Sequence, residues 1–204
     1  MGVKERRERP TGLQRQEILD AAREILVREG YDGLSMRKIA EQIKYSPTAI
    51  YLHFRDRDDL VFCVCEESLA RLVHELQDVA DRNRDPLVAL KKGLRRYVEF
   101  GLKHPQHYQA TFMVWHGTDA RKAARYMDPS THGMRALAVV QHAVEECVRQ
   151  KKLAKADVHS TSCSLWAGIH GITSLLIVMP NFEWRDRDKV VDRLISMMID
   201  GLLP

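Results

Sequence analysis

Two groups of side chains in this 204-residue chain could do chemistry, and in both cases the chemistry is non-covalent. The first is Ser46, Pro47, Thr48, Ala49, Tyr51 and His53. These small or hydrogen-bonding side chains crowd the start of a short helical run, where they suit base edges, thymine methyls and phosphate oxygens. The second is Tyr97, Phe100, Tyr108, Phe112, Met113 and Trp115, large and polarizable side chains that could enclose a small apolar molecule, with His104, His107, His116 and His170 as polar anchors. An aromatic and methionine stripe at helical spacing serves equally as plain core, so both readings of that group stand. No Gly-x-Ser-x-Gly elbow, Walker loop, dinucleotide fingerprint or His-Glu-x-x-His occurs, so no catalytic residue is assigned and no enzyme is expected. His104 and His107 have Pro105 between them and no acidic or Cys partner adjoining. Cys63 and Cys65 are two apart on a helical run, and Cys147 and Cys163 are solitary. No metal site, cofactor or disulfide framework is therefore expected.

The first group must be held by helices. Thr11 and Gln14 form a capping box, after which Ile18, Ala22, Ile25 and Leu26 follow the i, i+4, i+7, i+8 spacing until Gly30. Ser35 is a natural N-cap for a two-turn helix carrying Met36, Ile39, Ala40 and Ile43. Ser46 caps a third helix with Pro47 at its first position, where the missing N–H costs nothing, and Ala49, Ile50, Leu52 and Phe54 are expected to brace it. Asp56 caps a long fourth helix that keeps an apolar stripe to about Arg82. Three short helices, the second and third separated by Lys44 and Tyr45, form a helix-turn-helix, whose last helix enters the major groove of DNA.

The runs Ile18 to Leu26, Gly30 to Ala40 and Thr48 to Leu60, ending in Tyr51-Leu-His-Phe, resemble the TetR family of bacterial transcriptional regulators over about residues 12–72. The resemblance implies DNA contact by Ser35, Met36, Arg37, Ser46, Pro47, Thr48, Ala49, Tyr51, His53 and Arg57. Arg37 and Arg57 are expected to clamp phosphates, and Thr48 and Ala49 to touch bases. Where the family usually has a turn glycine this chain has Lys44, which either adopts a left-handed conformation or reshapes the turn, and which either reaches a phosphate or is simply solvated.

Beyond Asn83 the punctuation at Pro105, Gly117, Pro129, Gly133 and Pro180 predicts further helices near 87–103, 106–115, 119–127, 131–152, 157–179 and 187–202. The expected fold is all-α, about nine helices: a basic arm (1–11), a DNA-binding domain (12–72, helix-turn-helix 35–54) and a C-terminal effector-binding and dimerisation bundle (73–204). Trp166-Ala-Gly-Ile-His-Gly171 resembles the Trp, His and Gly pattern of one group of TetR-type C-terminal domains, which adds Trp166 and His170 to the candidate ligand residues. Ala167, Gly171, Ser174 and Val178 form a small-residue row, and with Leu137, Val140, Val144 and Val148 they are expected to build a four-helix interface between two copies.

Composition agrees with this reading. Hydrophobic residues at 45% suffice for a core, and 11 Gly and 7 Pro are too few for a turn-dense all-β chain. The net charge of +4 permits a nucleic-acid partner without requiring one, and residues 12–72 carry 9 basic against 11 acidic side chains, so the arm (Lys4, Arg6, Arg7, Arg9) and the helix ends must supply attraction. No apolar stretch follows the arm, and the uncharged run 158–182 holds several Ser, Thr and His residues; a cytoplasmic protein with a buried helix is expected rather than a membrane span. The implied function is a homodimeric, ligand-responsive repressor of a palindromic operator, its partners being duplex DNA, a small apolar effector and a second copy. A DNA-binding regulator without a ligand, or a helical protein of enzymatic or structural role, is the alternative.

Overall fold

A computed structural model describes residues 11–113 and 124–204; of Thr11 it describes the backbone. The basic arm and the Thr11 capping side chain lie outside the described residues, as do Trp115, His116 and most of the helix expected at 119–127, of which 124–126 are helical. The helices are α1 (Thr11–Gly33), α2 (Met36–Ile43), α3 (Pro47–Tyr51), α4 (Arg57–Arg82), α5 (Pro86–Lys103), α6 (Pro105–Phe112), α7 (His132–Arg149), α8 (Val158–Val178) and α9 (Arg187–Asp200). No strand occurs among the described residues.

Local signals set the helix boundaries, those at Gly30, Ser35, Ser46 and Asp56 where the sequence placed them and those at Asp85, Thr131, Asp157 and Asp186 in addition. Gly30 takes φ 72° and ψ −173°, outside the helical region, and breaks α1 in its last turn. The side chains of Ser35, Ser46, Asp85, Thr131, Asp157 and Asp186 accept backbone N–H bonds at the starts of α2, α3, α5, α7, α8 and α9, satisfying donors that a helix start leaves open. Asp56 accepts from the Asp59 N–H at 2.8 Å, while the Asp59 carboxylate takes the Arg55 N–H at 3.0 Å, a reciprocal cap on α4. Helix α7 stops three residues short of the expected end, and Lys151 just beyond it has a positive φ of 57°.

The chain divides into two compact units, one up to Cys65 and one from Glu66, so the division falls within α4. In the first, Ile18, Ala22, Ile25 and Leu26 of α1 are buried with Ile39 and Ala40 of α2, Ile50 of α3, Phe54, and Leu60, Val61 and Val64 of α4. In the second, α5 packs on α7, α8 and α9, and α8 also packs on α7 and α9. The core there joins Leu69, Leu72 and Leu76 of α4 to Leu90, Leu94 and Val98 of α5, Val144 and Cys147 of α7, Leu165, Ile169 and Leu176 of α8, and Ile195 and Ile199 of α9. At 21 residues and a mean hydropathy of 1.4, α8 is long and apolar enough to cross a membrane, but its Leu165, Ile169, Ile172 and Leu176 edge is inside this bundle.

Candidate nucleic-acid interface and effector site

Helix α2 is braced from behind by α1. Lys38 Nζ pairs with Glu29, Gln42 Nε2 donates to Glu24 Oε2 at 2.7 Å, and the Tyr45 hydroxyl donates to Glu17 Oε2 at 2.5 Å across the turn. Lys44 adopts the left-handed conformation (φ 58°, ψ 40°), and the N–H of Tyr45 returns to the Ala40 carbonyl at 2.9 Å. The turn is therefore kept in the shape a glycine would give it, with the lysine side chain exposed.

The short α3 is then presented by its cap: Ser46 Oγ accepts from the Ala49 N–H at 3.2 Å, and Ile50 is buried beneath. Ser35, Arg37, Lys44, Ser46, Pro47, Thr48 and Tyr51 are exposed and Ala49 is half-buried, so these form one accessible set around α2 and α3. Met36 is corrected: its side chain is only 6% exposed and braces α2 from inside instead of facing DNA. Leu52 is corrected the other way, since it is 80% exposed beside Tyr51 rather than part of the brace. The reason is geometric. Ile50 and Phe54, four apart, share the inner face of the turn that ends α3, and Leu52 between them points out.

His53 and Arg57 are half-buried and held. His53 Nε2 lies 3.4 Å from Gln14 Oε1, and the Arg57 guanidinium lies 4.2 Å above the Tyr31 ring, whose hydroxyl donates to Asp58 at 2.5 Å. Burial, and next the Asp58 carboxylate, raise the Tyr31 pKa. Arg37 is engaged with Glu41 at 2.9 Å, but both are exposed, so the pair yields readily to a phosphate. Arg55, 73% exposed by its side chain, is a basic residue at this edge that sequence reading passed over; its place between Phe54 and the Asp56 cap was the available signal.

In the second unit the structure brings together Tyr97, Tyr108, Phe112, Trp166 and His170. Phe112 is the hub, with ring centroids 5.0 Å from Tyr108, 5.6 Å from His170 and 6.3 Å from both Tyr97 and Trp166. Hydrogen bonds thread the same group: Trp166 Nε1 to the Tyr97 hydroxyl at 3.1 Å, Tyr97 to Tyr108 at 3.2 Å, and Tyr108 to His170 Nδ1 at 2.5 Å. Burial pushes the Tyr97 hydroxyl well above its ordinary pKa and raises Tyr108, and burial lowers His170, so all three are held neutral. Phe100 stands apart, its ring 5.1 Å from His104, which stacks on His107 at 6.0 Å. Met113 is half-buried against the core. His107 Nδ1 meets Ser68 Oγ at 2.6 Å in the interior. Among the described residues no group of three His, Cys, Asp or Glu side chains is placed to hold a metal ion.

Of the interface candidates, Ala167 and Val178 are exposed, Gly171 and Ser174 half-buried, and a Cβ added at Gly171 would meet nothing within 4 Å. Leu137, Val140 and Val148 of α7 are half-buried. Val144 is corrected, because it is fully buried in its own chain and has no surface to offer a second copy.

Residues 18–64 match the family described as bacterial regulatory proteins, tetR family, and residues 90–200 match the tetracyclin repressor-like C-terminal domain. The chain is 29% identical over 96 residues to the HTH-type transcriptional repressor AcnR of Corynebacterium diphtheriae, a match spanning 47% of this chain and 44% of that protein. It spans about half the length of the curated relatives it matches. In fold it is similar to a protein of unknown function from Rhodococcus sp. RHA1, with TM-score 0.78, 21% identity and coverage of 98% and 100% of the two chains. It is also similar to the transcriptional regulator FadR from Bacillus subtilis in complex with stearoyl-CoA, with TM-score 0.77, 15% identity and coverage of 92% and 98%.

Proposed function

This chain belongs to the TetR family of bacterial regulatory proteins, and on that footing we propose that it is a homodimeric, ligand-responsive transcriptional repressor of a palindromic operator, acting in the cytoplasm. The observation that carries the reading is the capped α2–turn–α3 motif, with Ser46, Pro47, Thr48 and Tyr51 exposed on one short helix and Ile50 buried beneath it. A helix so short and so firmly based suits insertion in the major groove. Thr48 and Ala49 address base edges and thymine methyls, while Arg37, Lys44, Arg57, Tyr51 and His53 hold phosphates. Two such heads, set about one DNA turn (roughly 34–36 Å) apart by a two-fold axis, read a palindrome.

Release follows from α4, whose 26 residues begin in the first unit and end in the second. A small, largely apolar effector at the Tyr97–Tyr108–Phe112–Trp166–His170 group favours one position of that helix, and so one spacing of the heads. A coupling of about 1–3 kcal/mol lowers operator affinity some 5- to 150-fold. The test is selection of bound sequences from a random duplex library at a stated salt concentration. Recovery of a palindrome with half-sites about a turn apart is expected, and that duplex then serves as probe for effectors, stearoyl-CoA among the first. Enrichment of nothing above background overturns the reading.

A further inference from the structure

Arg57 opens α4 among three carboxylates, Asp56, Asp58 and Asp59. Negative charge suits the start of a helix, but each of these groups would also draw the guanidinium away from a DNA phosphate. Each is occupied by another partner. Asp56 accepts the Asp59 N–H at 2.8 Å and faces Arg55 Nε at 3.4 Å, and Asp59 accepts the Arg55 N–H at 3.0 Å. Asp58 accepts the Tyr31 hydroxyl at 2.5 Å. The Arg57 guanidinium is seated over the ring of the same tyrosine, 4.2 Å from its centroid. Tyr31 directly follows Gly30, whose φ of 72° and ψ of −173° turn the chain out of the path of α1, and its carbonyl accepts the Leu34 N–H at 3.2 Å to close that turn. Burial, and next the Asp58 bond, raise the Tyr31 pKa while the guanidinium lowers it, so the phenol stays protonated at neutral pH and donates to Asp58.

We propose that Tyr31 is the positioning residue for the phosphate contact of Arg57: its ring seats the guanidinium, and its hydroxyl keeps the Asp58 carboxylate occupied. A cation held by a ring retains N–H donors for a phosphate oxygen, whereas one paired to a carboxylate must first give up that bond. Seating the side chain beforehand also removes rotamer freedom that DNA binding would otherwise have to remove. Arg37 is the contrast within the same head. It is paired with Glu41 at 2.9 Å, with its side chain 83% exposed, so it reaches a phosphate only by leaving a carboxylate. The one tyrosine thus does two things for Arg57 that nothing does for Arg37. This inference rests on the phosphate role given to Arg57 above.

The experiment uses the full-length protein and a fluorescent mixed-sequence duplex about three helical turns long, because phosphate contacts do not depend on sequence. Anisotropy between about 50 and 200 mM KCl reads the affinity and its salt slope. Arg57→Ala is expected to lower the slope by about one per head. Tyr31→Phe, which releases Asp58 from the hydroxyl, is expected to weaken binding about two- to fivefold, and Tyr31→Leu, which also removes the ring, to weaken it further. Neither change is expected to weaken binding once Arg57 is already alanine. A tyrosine that only supports the fold would weaken both backgrounds alike, and that result overturns this inference while the phosphate role of Arg57 stands. An unchanged slope in Arg57→Ala overturns both. Should the Tyr31 variants fail to fold, NMR of the unaltered protein labelled with ¹⁵N-arginine decides the matter, the Arg57 signal being assigned from its loss in Arg57→Ala. A ring-shifted Arg57 Nε–H signal with and without the duplex is expected, and a signal that loses its ring shift on adding the duplex overturns the inference.

Discussion

At the scale of single residues, Lys44 shows how a side chain can occupy a place made for glycine. Its φ of 58° and ψ of 40° put a Cβ where the left-handed region is disfavoured, at a cost of about 1 kcal/mol. Lys44→Gly is therefore expected to keep the turn and raise unfolding stability by up to about 1 kcal/mol, offset in part by the extra freedom of the unfolded chain, as read from urea denaturation. A loss of stability would mean that the lysine side chain holds the turn. Whether this residue turns left-handed or reshapes the turn was settled by the backbone, since both were compatible with the residue type. Met36 and Leu52 make the same point: apolar character is visible in the sequence, but the side of a two-turn helix or its terminal turn on which each falls is not. Arg57 was legible as a basic residue at the start of α4, whereas its seat over the Tyr31 ring required the fold.

At the scale of elements, most helices were marked by their punctuation, because caps and breakers act through bonds only two to four residues long. What the punctuation could not show is which helices meet. Tyr97 on α5, Tyr108 and Phe112 on α6, and Trp166 and His170 on α8 lie up to 73 positions apart and form one group, while Phe100, three residues from Tyr97, faces His104 instead. The burial created where these elements meet has a pH signature. His104 and His170 are held below the ordinary histidine value of about 6.5, chiefly by desolvation, so between their folded values and about 6.5 the unfolded chain binds more protons. Their contribution to stability is whole above about pH 6.5 and is lost as pH falls below it. The melting midpoint is expected to drop between pH 7.5 and 5, with a shallower drop in His170→Phe; equal slopes in the two proteins would show that His170 is not desolvated in the folded state.

At the scale of the whole molecule, the proposed dimer makes its own prediction. Gly171 has open space beyond its Cα within its own chain, so Gly171→Arg should fold with unchanged helical content while placing a charge in the row Ala167, Gly171, Ser174 and Val178. Sedimentation is expected to show a monomer, with at least about tenfold weaker operator binding because two linked heads become one. A persisting dimer would move the interface elsewhere. Sequence alone determined the helical class, nearly every helix start among the described residues, and the family resemblance at the DNA-reading head, since periodicity, caps and short motifs are written in neighbouring residues. Tertiary structure decided that Val144 is interior, that Leu52 is exposed, that Lys44 turns left-handed, and that Tyr97, Tyr108, Phe112, Trp166 and His170 come together as one group. These depend on contacts between distant elements and on which way the backbone turns at one residue, and neither is fixed by the spacing of residues along the chain.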